Sequence, residues 1–143
     1  FYKKLLTLAG EPAFRDGDFF ALNPANNGNP LFAHVEGEPA SGHWLYAFLR
    51  HVPAGGQRFL VVVNLHKEIT FKNVRILFPV EALEAIGISG GPGKSGEDRL
   101  QFIERIEGRM TLCEKSGEFA ANRSLEIPEI PPLTPCYFEI VAG

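Results

Sequence analysis

The sequence predicts a mainly β protein: an antiparallel β-sandwich of about seven to eight strands, Greek-key in type, preceded by one short N-terminal helix. Three observations predict it. One helical pattern at the start is followed by strand-like segments with no strand–helix–strand alternation, which argues against a parallel sheet. Gly (15) and Pro (11) are frequent enough to mark many turns without reaching the range of low-complexity chains. The hydrophobic period then changes from helical in the first nine residues to strand-like from Asp16 onward.

Phe1, Leu5, Leu8 and Ala9 fall on one helical face, which Tyr2 and Leu6 widen. Gly10 stops the helix and Pro12 keeps it stopped. No capping Ser, Thr, Asp or Asn precedes Phe1, and the only methionine is Met110. The helix therefore reads as the tail of a longer one, and the chain as a piece of a longer protein.

Strand candidates follow at Phe19–Leu22, His43–His51, Arg58–His66, Val74–Phe78, Leu100–Ile106, Phe119–Ile127 and Cys136–Val141, with Arg109–Cys113 as an eighth. In Phe119–Ile127 the apolar Phe119, Ala121, Leu125 and Ile127 alternate with Asn122, Ser124 and Glu126, predicting one buried face and one wet one. Two other strands are apolar on both faces. Trp44, Tyr46 and Phe48 oppose Leu45, Ala47 and Leu49, while Phe59, Val61, Val63 and Leu65 oppose Leu60 and Val62. Pro53-Ala54-Gly55-Gly56 reads as the hairpin joining them, so they pair in mid-sheet and need a second cover: a helix, a loop or another domain. Glu81–Ile86 reads as a helical turn, and Gly87–Asp98 as a polar loop.

Composition narrows the function. At 143 residues the chain is one domain long and can bury its own core. Lys plus Arg number 14 against 17 Asp plus Glu, without the basic footprint of a nucleic-acid partner. The longest apolar run, Trp44–Leu49, is far short of the ~20 residues that span a membrane. Cys113 and Cys136 read as buried free thiols rather than a disulfide framework.

The motifs that could carry chemistry read as structure. Gly93-Lys94-Ser95 lacks the earlier glycine of a phosphate-binding loop, since position 88 is Ile88. His34, His43, His51 and His66 have no metal-ligand spacing and read as solvent-facing strand ends, so no metal and no cofactor is expected. No nucleophile elbow is present. Asp16 with Asp18, Glu36 with Glu38, and Glu81 with Glu84 read as solvated surface rather than a glycosidase pair. Asn122-Arg123-Ser124 fits a glycosylation acceptor but falls within an expected strand. The row Trp44, Tyr46 and Phe48 invites a sugar-stacking reading. With 12 Phe and one Trp in the chain, core packing is the stronger reading, and Trp44 and Tyr46 are the candidate carbohydrate-binding residues, Trp44 being the member expected to be exposed.

Phe1 to Leu22, with its Tyr-x-x-Leu-x-x-Leu helix running into Pro12-Ala13-Phe14-Arg15-Asp16-Gly17, resembles the last barrel helix and first C-domain strand of the α-amylase family, glycoside hydrolase family 13. Leu45-Tyr46-Ala47-Phe48-Leu49-Arg50 and Phe59-Leu60-Val61-Val62-Val63-Asn64-Leu65 are similar to that family's paired C-domain strands, and Leu133 to Ile140 to its final strand. The Asn23–Pro30 stretch and the Gly87–Asp98 loop depart from the compact family pattern. The resemblance implies a noncatalytic C-terminal β-sandwich, domain C, packed on a (β/α)8 catalytic barrel. Residues 1–16 would then be the tail of the last barrel helix plus a connecting turn, and residues 17–143 the sandwich. No catalytic segment of the family is present, so no catalytic residue carries over. The implied role is to stabilise the barrel of an enzyme acting on starch or related α-glucans, with α-glucan binding as the alternative. An apolar face lacking its barrel would also favour a dimer of the isolated chain.

Overall fold

The computed structural model describes residues 2–38, 42–53, 56–88, 99–108 and 110–142. Phe1, most of the Gly87–Asp98 loop, Ala54 and Gly55 of the hairpin, and Arg109 lie outside the described residues. The elements are α1 (Tyr2–Ala9), α2 (Pro12–Arg15), β1 (Asp18–Ala21), a 3-10 turn (Pro24–Asn26), β2 (Leu45–His51), β3 (Arg58–Asn64), β4 (Phe71–Leu77), α3 (Val80–Ala85), β5 (Arg99–Glu104), β6 (Thr111–Lys115), α4 (Ser116–Asn122), β7 (Ser124–Ile130) and β8 (Pro135–Ala142).

Six strands form one antiparallel sheet in the order β1-β2-β3-β8-β5-β6, and β4 pairs with β7 in a second. The last strand returns to the middle of the large sheet, the Greek-key feature of the expected sandwich. β2 and β3 pair over their whole length, Leu45 opposite Asn64 and His51 opposite Arg58.

The inner face of the large sheet carries Leu45, Ala47, Leu49, Leu60, Val62, Phe102, Phe138 and Ile140, all buried. The small sheet covers part of this face with Val74, Ile76, Leu125 and Ile127. Phe32 of the loop after β1, Leu83 of α3 and Phe119 of α4 cover the rest.

One expected boundary is corrected. Phe119–Asn122 is helical, not the start of a strand: α4 ends where Arg123 turns left-handed at φ 52°, and β7 begins at Ser124. Ala120-Ala121 supplies the best intrinsic helix former, and only Phe119 of the segment is buried. Its ring packs edge-on between Phe78 (5.2 Å) and Phe102 (5.5 Å). The N-terminal helix stops as expected, α1 ending at Ala9 before Gly10, and Pro12 opens a separate short helix. It occupies the first position of α2, where its missing N–H costs nothing.

Within the small sheet both strands change faces at the same place. Phe71 pairs with Ile130, Val74 with Ile127 and Ile76 with Leu125, all buried, yet Lys72 pairs with Glu129 and Arg75 with Glu126 on the wet side. Strict alternation would separate Phe71 from Val74. Asn73, left-handed at φ 51°, resets the alternation, and Pro128, which has no amide hydrogen to lose, stands opposite it in the register.

Among the described residues, the outer face of the large sheet is covered over only part of its area. There α1 and α2 deliver Leu5, Leu8, Ala13 and Phe14 onto Phe59, Tyr137 and Ile106. Phe14 lies 4.7 Å from the Phe59 ring and 5.8 Å from Tyr137. The second cover that β3 requires is therefore, at Phe59, the chain's own N-terminal segment. Gly17 lets the chain turn from α2 into β1, since a Cβ there would stand 2.3 Å from the Ala13 carbonyl oxygen.

Candidate functional site

Trp44 lies just before β2 and is half-buried against the core, not the most exposed of its row. Its indole N–H donates to Glu38 Oε1 at 2.9 Å, and His43 and His66 each meet the ring edge-on at 4.9 Å. Tyr46 is the more exposed of the two candidates, at 39%. Its ring lies 5.3 Å from Phe48, which lies 5.1 Å from Phe19 across the β1–β2 pair. The structure thus builds a row of three contacting rings, Phe19, Phe48 and Tyr46, on the uncovered part of the outer face. Phe19 joins it because Ala21 pairs with Phe48 and Phe19 with Arg50, which puts all of them on one side of the sheet. The alternation of β2 revealed Tyr46 and Phe48; Phe19 required the strand pairing.

At the boundary between the covered and uncovered parts stands a cluster of two carboxylates and their partners. Arg105 ion-pairs with Glu139 and, at 3.2 Å, with Glu11. Gln57 donates to Glu11 Oε2 at 3.0 Å and accepts from the Ala13 amide at 3.1 Å. The hydrogen bond from Gln57 does most to hold the Glu11 carboxyl below the usual range; burial opposes this, and Arg105 adds to it. Glu11 and Glu139 share Arg105, and through it tie the segment between the N-terminal helices to the sheet. Arg50 completes the attachment by donating to the carbonyls of Ala13 (3.1 Å) and Phe14 (2.8 Å) at the end of α2.

Four other acidic residues, Glu104, Glu107, Glu129 and Glu114, have structural surroundings. Glu104 is buried, and its carboxylate accepts from the amides of Ile106 (2.9 Å) and Tyr137 (2.8 Å), so it caps the turn after β5. Glu107 and Glu129 share with it the lining of a cleft of about 310 Å³ floored by Met110, Pro131, Pro135 and Cys136. Burial and the nearby Glu104 push the Cys136 thiol up to about 12, leaving it unreactive at neutral pH. Glu114 is raised by burial and then by Glu118, with Arg75 acting in the opposite direction, but it lines none of the described clefts.

The remaining polar candidates are architectural. Asn64 donates to the carbonyls of Ile69 (2.8 Å), Ile130 (3.0 Å) and Pro131 (3.0 Å), and accepts from the His66 amide (2.9 Å). His66 Nδ1 accepts from the amides of Glu68 and Ile69 at 3.0 Å, which places its proton on Nε2. His51 is buried rather than solvent-facing, and its Nδ1 has no hydrogen-bond partner among the described residues. Cys113 and Cys136 are both free, but only Cys136 is buried as expected, Cys113 being exposed on edge strand β6; no group of three or more His, Cys, Asp or Glu among the described residues could hold a metal ion.

The turn-rich Asn23–Pro30 stretch has the most definite role, one its sequence did not reveal. Asn26 Oδ1 accepts from the Leu77 amide (2.7 Å) and Asn26 Nδ2 donates to the Leu77 carbonyl (3.0 Å). Asn29 Nδ2 donates to the Arg75 carbonyl (2.8 Å), and the Arg75 amide donates to the Leu31 carbonyl (3.0 Å). Two side-chain amides and one carbonyl therefore occupy the free edge of β4 as a neighbouring strand would. Asn23 ties the same loop to β2 through Leu45 and Ala47. A shallow cleft of about 340 Å³ between Asn23, Asn27, Phe32 and His43 lies beside it.

No helix among the described residues is long and apolar enough to cross a membrane. A scan of protein-family models, a search of curated proteins and a search of solved structures each returned no match for this chain.

Proposed function

We propose that this chain is a noncatalytic accessory β-sandwich of an α-amylase-like glycoside hydrolase acting on starch or related α-glucans, and that it stabilises a (β/α)8 catalytic barrel by packing against it. The observation that carries the reading is the uneven cover of the outer sheet face. Phe19 (49% exposed) and Tyr46 (39%) flank Phe48 in a row of contacting rings, and Leu6 on α1 is separately 72% exposed. Exposed apolar surface of this kind supports an interaction side. The helix-to-strand segment Phe1–Leu22 and the paired β2–β3 motifs that resemble the family support the same reading, as does the structural use of Glu11, Glu139 and Glu104.

The reading frame upstream of Phe1 tests it directly: a barrel with paired catalytic carboxylates is expected, and any other fold there overturns it. The chain alone is expected to release no reducing sugar from soluble starch; turnover would contradict the noncatalytic role.

A second reading is α-glucan binding at the same row. The row of contacting rings Tyr46, Phe48 and Phe19 on one sheet face supports this reading, and Trp44 at the strand's start serves as a fluorescent reporter. Titration with maltoheptaose distinguishes the two. A saturable change lost in Tyr46→Ala favours binding, and no change at millimolar sugar favours the purely structural role.

A further inference from the structure

We propose that Asn27 is a site of spontaneous modification, in which loss of side-chain ammonia yields isoaspartate and releases the edge of β4. The chain has seven asparagines, and only Asn27 is followed by glycine. Asn23 and Asn29 precede prolines, which have no amide hydrogen to lose, and Asn64, Asn73 and Asn122 precede the bulkier Leu65, Val74 and Arg123. Asn26 is buried and makes four hydrogen bonds through its side chain.

Asn27 and Gly28 are both exposed and form the centre of a turn closed by the Asn29 amide donating to the Asn26 carbonyl at 3.0 Å. Asn27 at φ −64°, ψ 118° and Gly28 at φ 88° make it a type II turn, which requires glycine at its third position. Ring closure requires the peptide plane between them to rotate. A Cβ placed on Gly28 would meet nothing within 4 Å, and both residues are exposed, so the tip of the turn is open on that side.

The chemistry balances without an oxidant or a cofactor. The Gly28 amide nitrogen attacks Asn27 Cγ; the new C–N bond forms as the Cγ–Nδ2 bond breaks, and ammonia leaves with the amide proton. Water then opens the cyclic imide at either carbonyl, giving aspartate or isoaspartate at position 27. In the isoaspartate product the main chain runs through Cβ and Cγ and is one methylene longer.

That extra methylene falls midway between the two amides that stand in for a strand. Asn26 holds Leu77 and Asn29 holds Arg75, so lengthening the chain between them strains both attachments at once. The Leu77 amide donates to Asn26 Oδ1 and the Arg75 amide to the Leu31 carbonyl, two residues beyond Asn29, so the expected readout is about tenfold faster hydrogen exchange at both amides, equivalent to losing roughly one hydrogen bond each.

The test is to incubate the intact chain at neutral pH and physiological temperature, beside the same chain in denaturant and an Asn27→Ser variant that keeps Gly28. Peptide mass mapping with isoaspartate methyltransferase labelling is expected to find position 27 modified first in the folded chain and no isoaspartate at that position in Asn27→Ser. The modified fraction should then show the faster exchange at Arg75 and Leu77 while β2 and β3 stay protected. The proposal is overturned if only the denatured chain forms isoaspartate at position 27, or if the modified chain keeps both amides protected.

Discussion

The two parts of the outer sheet face are built from the same kind of residue and meet different ends. Around Phe59 the aromatic face is covered: α2 lies on it, Arg50, Gln57 and Arg105 fasten the helix ends, and the Phe59 ring is fully buried. Around Phe48 the neighbouring strands present rings of the same chemistry to solvent. What separates them is polar anchoring. The side chains that fasten the N-terminal helices all serve the covered end: even Arg50, cross-strand from Phe19, donates to the α2 carbonyls of Ala13 and Phe14, while Phe19 and Tyr46 stay exposed. Apolar rings make cover favourable, while the polar groups around them decide which cover docks and where.

The largest contrast is expected from truncating one ring on each side. Phe59→Ala should cost about 3–5 kcal/mol in urea unfolding, because a fully buried ring leaves a cavity between sheet and helix. Phe48→Ala should cost ~1 kcal/mol or less, and equal losses would mean that the uncovered side is packed as a core. Arg105→Met comes next, at about 1–2 kcal/mol, since it leaves Glu11 and Glu139 facing each other without their shared cation. Its hydrogen-exchange signature should be confined to α1 and α2, and uniform loss across the sheet would refute the latch.

The pH dependence is smaller and has a definite sign. Folded Glu11 holds its proton only at lower pH than the unfolded chain does. Its contribution is therefore present above the ordinary carboxylate range and fades as pH falls through the folded value. Glu11→Gln should flatten the acid side of the plot of urea midpoint against pH; an unchanged slope would remove Glu11 from the cluster's electrostatics. The smallest effect is expected at Tyr46→Ser, within about 0.5 kcal/mol. If it lowers light scattering of the concentrated chain without moving the urea midpoint, the uncovered row is the site of self-association; a shifted midpoint would show the ring to be packed.

The fold was legible where side chains alternate and the turns are marked. The doubly apolar β2 and β3 announced a second cover, and Leu5 and Leu8 identified the helical face that provides part of it. Local pattern could not show the partner of that helix, because Phe59, Arg105 and Glu139 lie far away along the chain. Phe119 to Asn122 misled because Phe119 and Ala121 alternate as a strand would, while the decisive contacts, Phe78 and Phe102, come from other elements. The asparagines hid their role for a different reason. An amide in a turn and an amide replacing a strand have the same sequence signature, and only the free edge of β4 distinguishes them. Trp44 could be placed near a strand's end but not beside Glu38 and two histidines.

The coincident face change of β4 and β7 has a consequence for how the chain finds its pairing. Sliding one strand past the other by a residue would bring the left-handed Asn73 against Ile127 or Glu129 instead of Pro128, and would set Lys72 against an apolar neighbour. Each strand carries half of a keyed joint, and the halves mate in one alignment. A sheet of only two strands, which has little ladder energy with which to choose its register, is thereby given a mechanical check on it.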